Sequence, residues 1–279
     1  TREFGLSVAA TETPTVAAET HATPLLLHKP RIAIYAPWTG GNIDEGWTRW
    51  VLERYEFTAA EIHNIDIRRG GLRQNFDTII LPDQSPREMV DGYNAESIRA
   101  EYRGGIGEAG VENLSRFVAE GGTLIALGAA ADLAIDRLPV PVRNIKRGLR
   151  RDQHYAPGTI VRLQVDTSHP EAYGMAAESY GFYTNGPVFS PVDGFTSVRS
   201  TVVARYPAVD VLASGWLRGE EIMAGRAAVV SIEMNPGRVV LFGFRPQHRG
   251  QTHATFPLLF NAIYLSASES GKYRSTNQQ

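Results

Sequence analysis

Six residues stand where acid, base or anion-binding chemistry could be done: Trp38, Asp44, Glu45, Asp83, Arg245 and His248. Each follows closely on a short apolar run that reads as a buried strand. In open parallel sheets, ligands bind beyond the carboxyl ends of the strands, so these residues form a candidate polar rim with aromatic walls. Such a rim suits a small molecule or a peptide. Each also has a purely structural reading. Asp44 precedes "EGWTRWVLERYEF" and fits a helix N-cap. Trp47 and Trp50, three apart on that helix, fit core packing. Asp83 fits an acid bonding nearby backbone amides at a turn.

The junction "GGTLIALGAAADLAI" raises the opposite question. A strand running into a helix is where many α/β enzymes carry a nucleophile, yet Gly128, Ala129 and Ala130 offer no side chain that attacks or transfers a proton. The chain contains no cysteine, which removes thiolate nucleophiles, disulfides and cysteine zinc sites together. Ser115 falls on a helix and Ser168 in a loop, so neither replaces the missing group. His248 and His253 are five apart, flanked by Arg245 and Arg249, and lack the helical His-Glu-x-x-His spacing of a zinc site. We expect no metal and no cofactor. The glycines of "RGGIG" at 103–107 lack a preceding strand and the full dinucleotide fingerprint, and read as a turn.

The elements that must hold these residues follow from the hydrophobic pattern. "RIAIYAP", "EIHNIDI", "FDTIILPD" and "TLIAL" read as strands, with helices over "EGWTRWVLERYEF", from about 108 to 119, and over "AADLAIDRL". This order predicts a parallel sheet with helices on both faces. Beyond Pro139, "GTIVRLQVD", "STVVARY", "DVLASGWL", "AAVVSIEM" and "RVVLFGF" read as further strands, the last two joined at "EMNPGR" as an antiparallel hairpin. A closing helix presents Phe256, Leu259, Phe260 and Ile263 on one face. Residues 1–29 read as a linker or tail, 30–266 as one α/β domain with a β-rich portion at about 155–245, and 267–279 as a second tail. The 279 residues carry a net charge of −2 with scattered Lys and Arg, which argues against a nucleic-acid partner, and no apolar run is long enough to span a membrane.

The segments "APWTGGNIDEGWTRWVLERYEF", "FDTIILPDQ", "EYRGGIGEAGVENLSRFVAEGGTLIAL" and "GRVVLFGFRPQHRGQTHATFPLLFNAIY" resemble the region that follows the catalytic module in large bacterial zinc carboxypeptidase-family proteins. That region is similar to the class I glutamine amidotransferase fold. The resemblance covers roughly residues 30 to 265 and implies a flavodoxin-like sheet with an added β-rich part. Active class I amidotransferases bear a Cys at the fourth-strand elbow, and a His after a late strand with a Glu two residues on. Here the elbow is Gly128-Ala129-Ala130 and the residue two beyond His248 is Gly250, so glutamine hydrolysis is not carried over. Carboxypeptidase chemistry is not carried over either, since none of the seven histidines begins a His-x-x-Glu pair.

The resemblance implies an upstream zinc carboxypeptidase module as partner, export from the cell to a periplasmic or secreted location, and a non-catalytic accessory role that supports the peptidase or binds peptide or carbohydrate. Two alternatives stay open at this stage. One is a stand-alone hydrolase using Asp44, Glu45, Asp83 and His248 on an activated water; the other is an oligomerisation module.

Overall fold

The computed structural model describes residues 27–38, 43–192, 194 and 198–268. Most of the expected tails at 1–29 and 267–279, and the Gly-Gly loop before the first helix, lie outside the described residues. At the edge of the first tail, Leu27 bridges Ser268 and the His28 amide donates to the Ala267 carbonyl at 3.1 Å.

Five strands form the parallel half: β1 (Ile32–Tyr35), β2 (Ala59–Ile62), β3 (Thr78–Leu81), β4 (Thr123–Leu127) and β12 (Arg238–Phe242). They lie in the order β2-β1-β3-β4-β12, every pair parallel. This is the 2-1-3-4-5 order of doubly wound flavodoxin-like sheets. β1, β3 and β4 are buried along their whole length because helices cover both faces, which is why they read as unbroken apolar runs. One face packs Ala33, Tyr35, Ile79, Leu81, Leu124 and Ala126 under helices that contribute Ile67, Met89, Leu114, Phe117 and Leu133. These come from α2 (Asn64–Arg69), α4 (Pro86–Asp91), α5 (Gly107–Ala119) and α6 (Ala131–Arg137), with α3 (Leu72–Asn75) beside them. The other face packs Ile34, Ile80, Ile125 and Leu127 under α1 (Ile43–Arg54) and α8 (Phe256–Ser266).

The β-rich portion is not a separate layer. β11 (Ala227–Glu233) pairs antiparallel with β12, and β9 (Arg199–Arg205), β6 (Thr159–Val165) and β10 (Leu212–Gly215) continue outward in one 12-stranded sheet. β5 (Val142–Asn144), β7 (Glu178–Tyr183) and β8 (Phe189–Pro191) attach to it off the main path, and the short α7 (Glu220–Met223) sits between β10 and β11. The hairpin at "EMNPGR" is as expected, with Glu233 opposite Arg238.

Three local readings need correction. "EIHNIDI" is a strand only to Ile62; the Asp66 carboxylate then accepts the His63 amide at 2.8 Å and starts α2, so an alternating stretch is half helix. β5, β7 and β8 went unread because two are three residues long and the third is interrupted by Gly181. Asp44 is not a cap: α1 begins at Ile43, and the Asp44 carboxylate is engaged by another element.

At the amino ends of the strands, buried Asp77 accepts Arg31 at 2.7 Å and Arg73 at 2.8 Å. Burial opposes its charge, but these hydrogen bonds outweigh it and hold the carboxyl well below the usual range.

Candidate functional site

The chain leaves β4 at Gly128 with φ of +55°, a left-handed turn that glycine adopts without strain and that opens into α6. The space a side chain would enter here is filled. A Cβ on Gly128 would lie 2.3 Å from Oδ1 of Asp83. The Asp83 carboxylate instead accepts the Ala129 amide on Oδ1 at 2.7 Å, and on Oδ2 the Arg245 Nε and Nη2, each at 2.6 Å. The elbow amide, which in a nucleophile elbow would face a developing oxyanion, is thus held by an internal carboxylate.

A second acid backs the first. Asp44 Oδ2 accepts the Asp83 amide at 2.9 Å and the Gln247 side-chain amide at 3.2 Å, and Gln247 also donates to Thr48 Oγ1 at 2.8 Å. Burial pushes the Asp44 carboxyl up to about 6; the Asp83 amide opposes this, the Asp83 charge adds to it, and Arg245 and Gln247 oppose it. Asp44, Asp83 and Arg245, chosen from sequence, are therefore joined in one polar knot across α1, β3 and β12. Gln247 and Thr48 belong to the same knot and were not picked out, although Gln247 lies between two residues that were.

His248 is on the same loop but does not engage either acid. Its ring stacks on Phe182 at 3.7 Å and 12°, and its Nδ1 has no hydrogen-bond partner among the described residues. Burial, then the nearby Arg245 and Arg249, bring it down to about 4, so it is neutral at pH 7. Two residues on, a Cβ on Gly250 would meet the Trp50 ring at 2.6 Å, so no carboxylate side chain fits there without moving the indole. A base oriented by an acid, the arrangement nucleophilic hydrolysis needs, is not assembled at His248.

Glu45 and Trp38 belong to a second group. Glu45 accepts Arg49 at 3.0 Å, and Arg49 in turn lies 3.6 Å from Glu61, which is 3.2 Å from His63. Trp38 stacks on His63 at 3.8 Å and meets Tyr102 edge-on at 4.9 Å, leaving an aromatic shelf that is partly exposed. His63 and Tyr102 gave no sequence cue, because their roles depend on two distant segments meeting at Trp38. Trp50, expected in the core, is half-exposed.

The remaining candidates have structural partners. Gly104 and Gly105 press against the α4 end, where a Cβ on Gly105 would lie 2.2 Å from the Met89 carbonyl, and the Gly105 carbonyl accepts Arg68 at 2.7 Å. His253 approaches the Tyr55 hydroxyl at 3.3 Å, away from His248's stack. Among the described residues, no three His, Asp or Glu side chains converge as a metal site would require.

No protein-family model matches the chain, and no curated protein matches it in sequence. Solved structures do match. A ThuA-like protein from Bacteroides uniformis superposes with a TM-score of 0.51 at 13% identity, covering 90% of this chain and 96% of that one. A GMP synthase-type protein from Thermoplasma acidophilum gives 0.51 at 12% identity, with 86% and 96% covered. At such identities the likeness concerns the fold alone: an α/β, flavodoxin-like sheet of the class I glutamine amidotransferase type.

Proposed function

We propose that this chain is a non-catalytic, amidotransferase-like accessory domain that serves a zinc carboxypeptidase-type hydrolase in an exported bacterial protein. It supports the peptidase module or binds peptide or carbohydrate at the strand-end rim. The observation that carries the non-catalytic half is the Asp83 carboxylate seated where a nucleophile would project, 2.3 Å from the nearest possible side-chain atom of residue 128. The peptidase parent and the export rest on the likeness of the four sequence segments that run from "APWTGG" to "FNAIY". A ligand-binding role is supported by the shelf of Trp38, His63 and Tyr102, where an apolar ring face meets polar neighbours.

The hydrolase reading gains one point from Asp44, whose carboxyl is brought up toward neutrality as in general acids. It loses more, because Asp44 is buried and tied to the Asp83 amide and Gln247, Asp83 to Arg245, and Glu45 to Arg49. A water in the crevice would face acids already committed.

The test is a titration of the isolated chain with short peptides and with oligosaccharides, followed through the Trp38 indole N–H resonance, beside a screen with chromogenic ester, amide and glycoside substrates. A saturable shift of the Trp38 signal that Tyr102→Ala weakens at least about tenfold in affinity, with no turnover, is the expected result. Turnover that disappears in Asp44→Asn or Asp83→Asn would overturn the reading.

A further inference from the structure

The rim lies at the carboxyl ends of the strands; their amino ends carry a cleft of their own. Between the starts of β1 and β2 and the last turn of α8 is a cavity of about 310 Å3, the size of a small-molecule site. Pro30 and Ile32 line it as buried residues. Phe57 and Tyr264 contribute two rings whose centroids are 5.2 Å apart, tilted by 47°.

Two opposite charges line the same cleft, those of Lys29 and Glu56. Among the described residues neither side chain forms an ion pair or a hydrogen bond, with the other or with a third group. The imidazole of His28, also on the wall, lies 3.4 Å from Asp77. The amine and the carboxylate are therefore left to solvent or to a ligand.

Glu56 also holds an unusual backbone position. At the end of α1 the Phe57 amide donates to the Leu52 carbonyl at 2.9 Å, and the Glu56 amide to the Glu53 carbonyl at 3.0 Å. The residue that closes a helix with this pair of bonds takes a left-handed backbone and is usually glycine. Here φ is +63° and the residue is glutamate. Glycine would make the same turn without strain, so the cap does not account for the carboxylate. A strained position that retains a charged side chain beside a cleft points to a use for that side chain.

We propose that this cleft binds a free α-amino acid with an apolar, preferably aromatic, side chain. Lys29 takes the carboxylate and Glu56 the ammonium, each through a charge-assisted hydrogen bond. The ligand's side chain packs among Leu27, Pro30, Phe57 and Tyr264. A cavity of about 150 Å3 holds a benzene ring, so the cleft has room for a ring and for the two charged groups beyond it. A ligand with a single charge would leave either the amine or the carboxylate of the protein unanswered; a zwitterion answers both. The proposal is independent of the accessory-domain reading, because the rim lies at the other end of the strands.

Calorimetric titration of the whole chain with L-phenylalanine tests it, beside 3-phenylpropanoate, which lacks the ammonium, and phenethylamine, which lacks the carboxylate. Phenylalanine should bind saturably, and each analogue at least about tenfold more weakly. Glu56→Gly separates the site from the fold. It relieves the left-handed turn, so the melting temperature should hold or rise, while affinity for phenylalanine should fall at least about tenfold and that for 3-phenylpropanoate should not fall. Lys29→Gln should weaken phenylalanine and leave phenethylamine unchanged. No saturable heat with millimolar phenylalanine, equal binding of the three compounds, or an affinity for phenylalanine unchanged in Glu56→Gly would overturn the proposal.

Discussion

Asp44 is a carboxyl group whose burial works against its charge. Its carboxyl rises from 3.8 in the unfolded chain to about 6 in the folded one, so the protonated form is favoured by folding. The stability linked to Asp44 is therefore complete below about pH 4 and is lost as pH climbs to about 6, a change on the order of 2–3 kcal/mol. Asp44→Asn should flatten that part of the stability curve and raise the melting temperature at pH 7. The asparagine carbonyl oxygen can still accept the Asp83 amide while no charge is buried. Denaturant titrations of both proteins at pH 4, 5, 6 and 7 check this; parallel curves would refute it.

The junction of β4 with α6 is the element on which the non-catalytic reading turns. A side chain at 128 meets both a left-handed backbone and the Asp83 carboxylate, so Gly128→Cys should destabilise by about 2–4 kcal/mol. Adding Asp83→Ala should recover part of that loss, because the two changes act on the same space, and a double-mutant cycle by urea unfolding measures the coupling. Strict additivity would mean that Asp83 does not occupy the elbow. Much of this junction was legible beforehand. "TLIAL" running into "GAAADLAI" marked the strand, the turn and the absence of a nucleophile, since each depends on local residue types. The plug itself was not legible: Asp83 and Ala129 are 46 residues apart, and their bond exists only because β3 and β4 are neighbours. Asp44 read as a cap for the same reason, its true partner being 39 residues away. Local pattern located the strands of the parallel half well and the short antiparallel strands poorly, because three residues carry no period.

At the scale of the molecule, β12 binds the two halves. It is hydrogen-bonded in parallel to β4 on one side and antiparallel to β11 on the other, so no plane free of strand pairing separates the α/β half from the β-rich half. Unfolding should therefore be one cooperative transition, with tryptophan fluorescence and far-ultraviolet circular dichroism superposing across a thermal or urea series. Three of the four tryptophans lie in the parallel half and Trp216 follows β10 in the other, so a half that melted alone would separate the two signals.

The aspartate lodged at the elbow also bears on how this sequence can change. A mutation that restores a reactive side chain at position 128 arrives in a place already taken, and one that removes Asp83 first costs the Arg245 guanidinium its two 2.6 Å bonds and leaves it only Asp44, at 3.9 Å, among the acids of the knot. Neither single step is neutral, so the two positions form a ratchet, and descendants of this chain are steered away from regaining hydrolytic chemistry by the order in which substitutions must come.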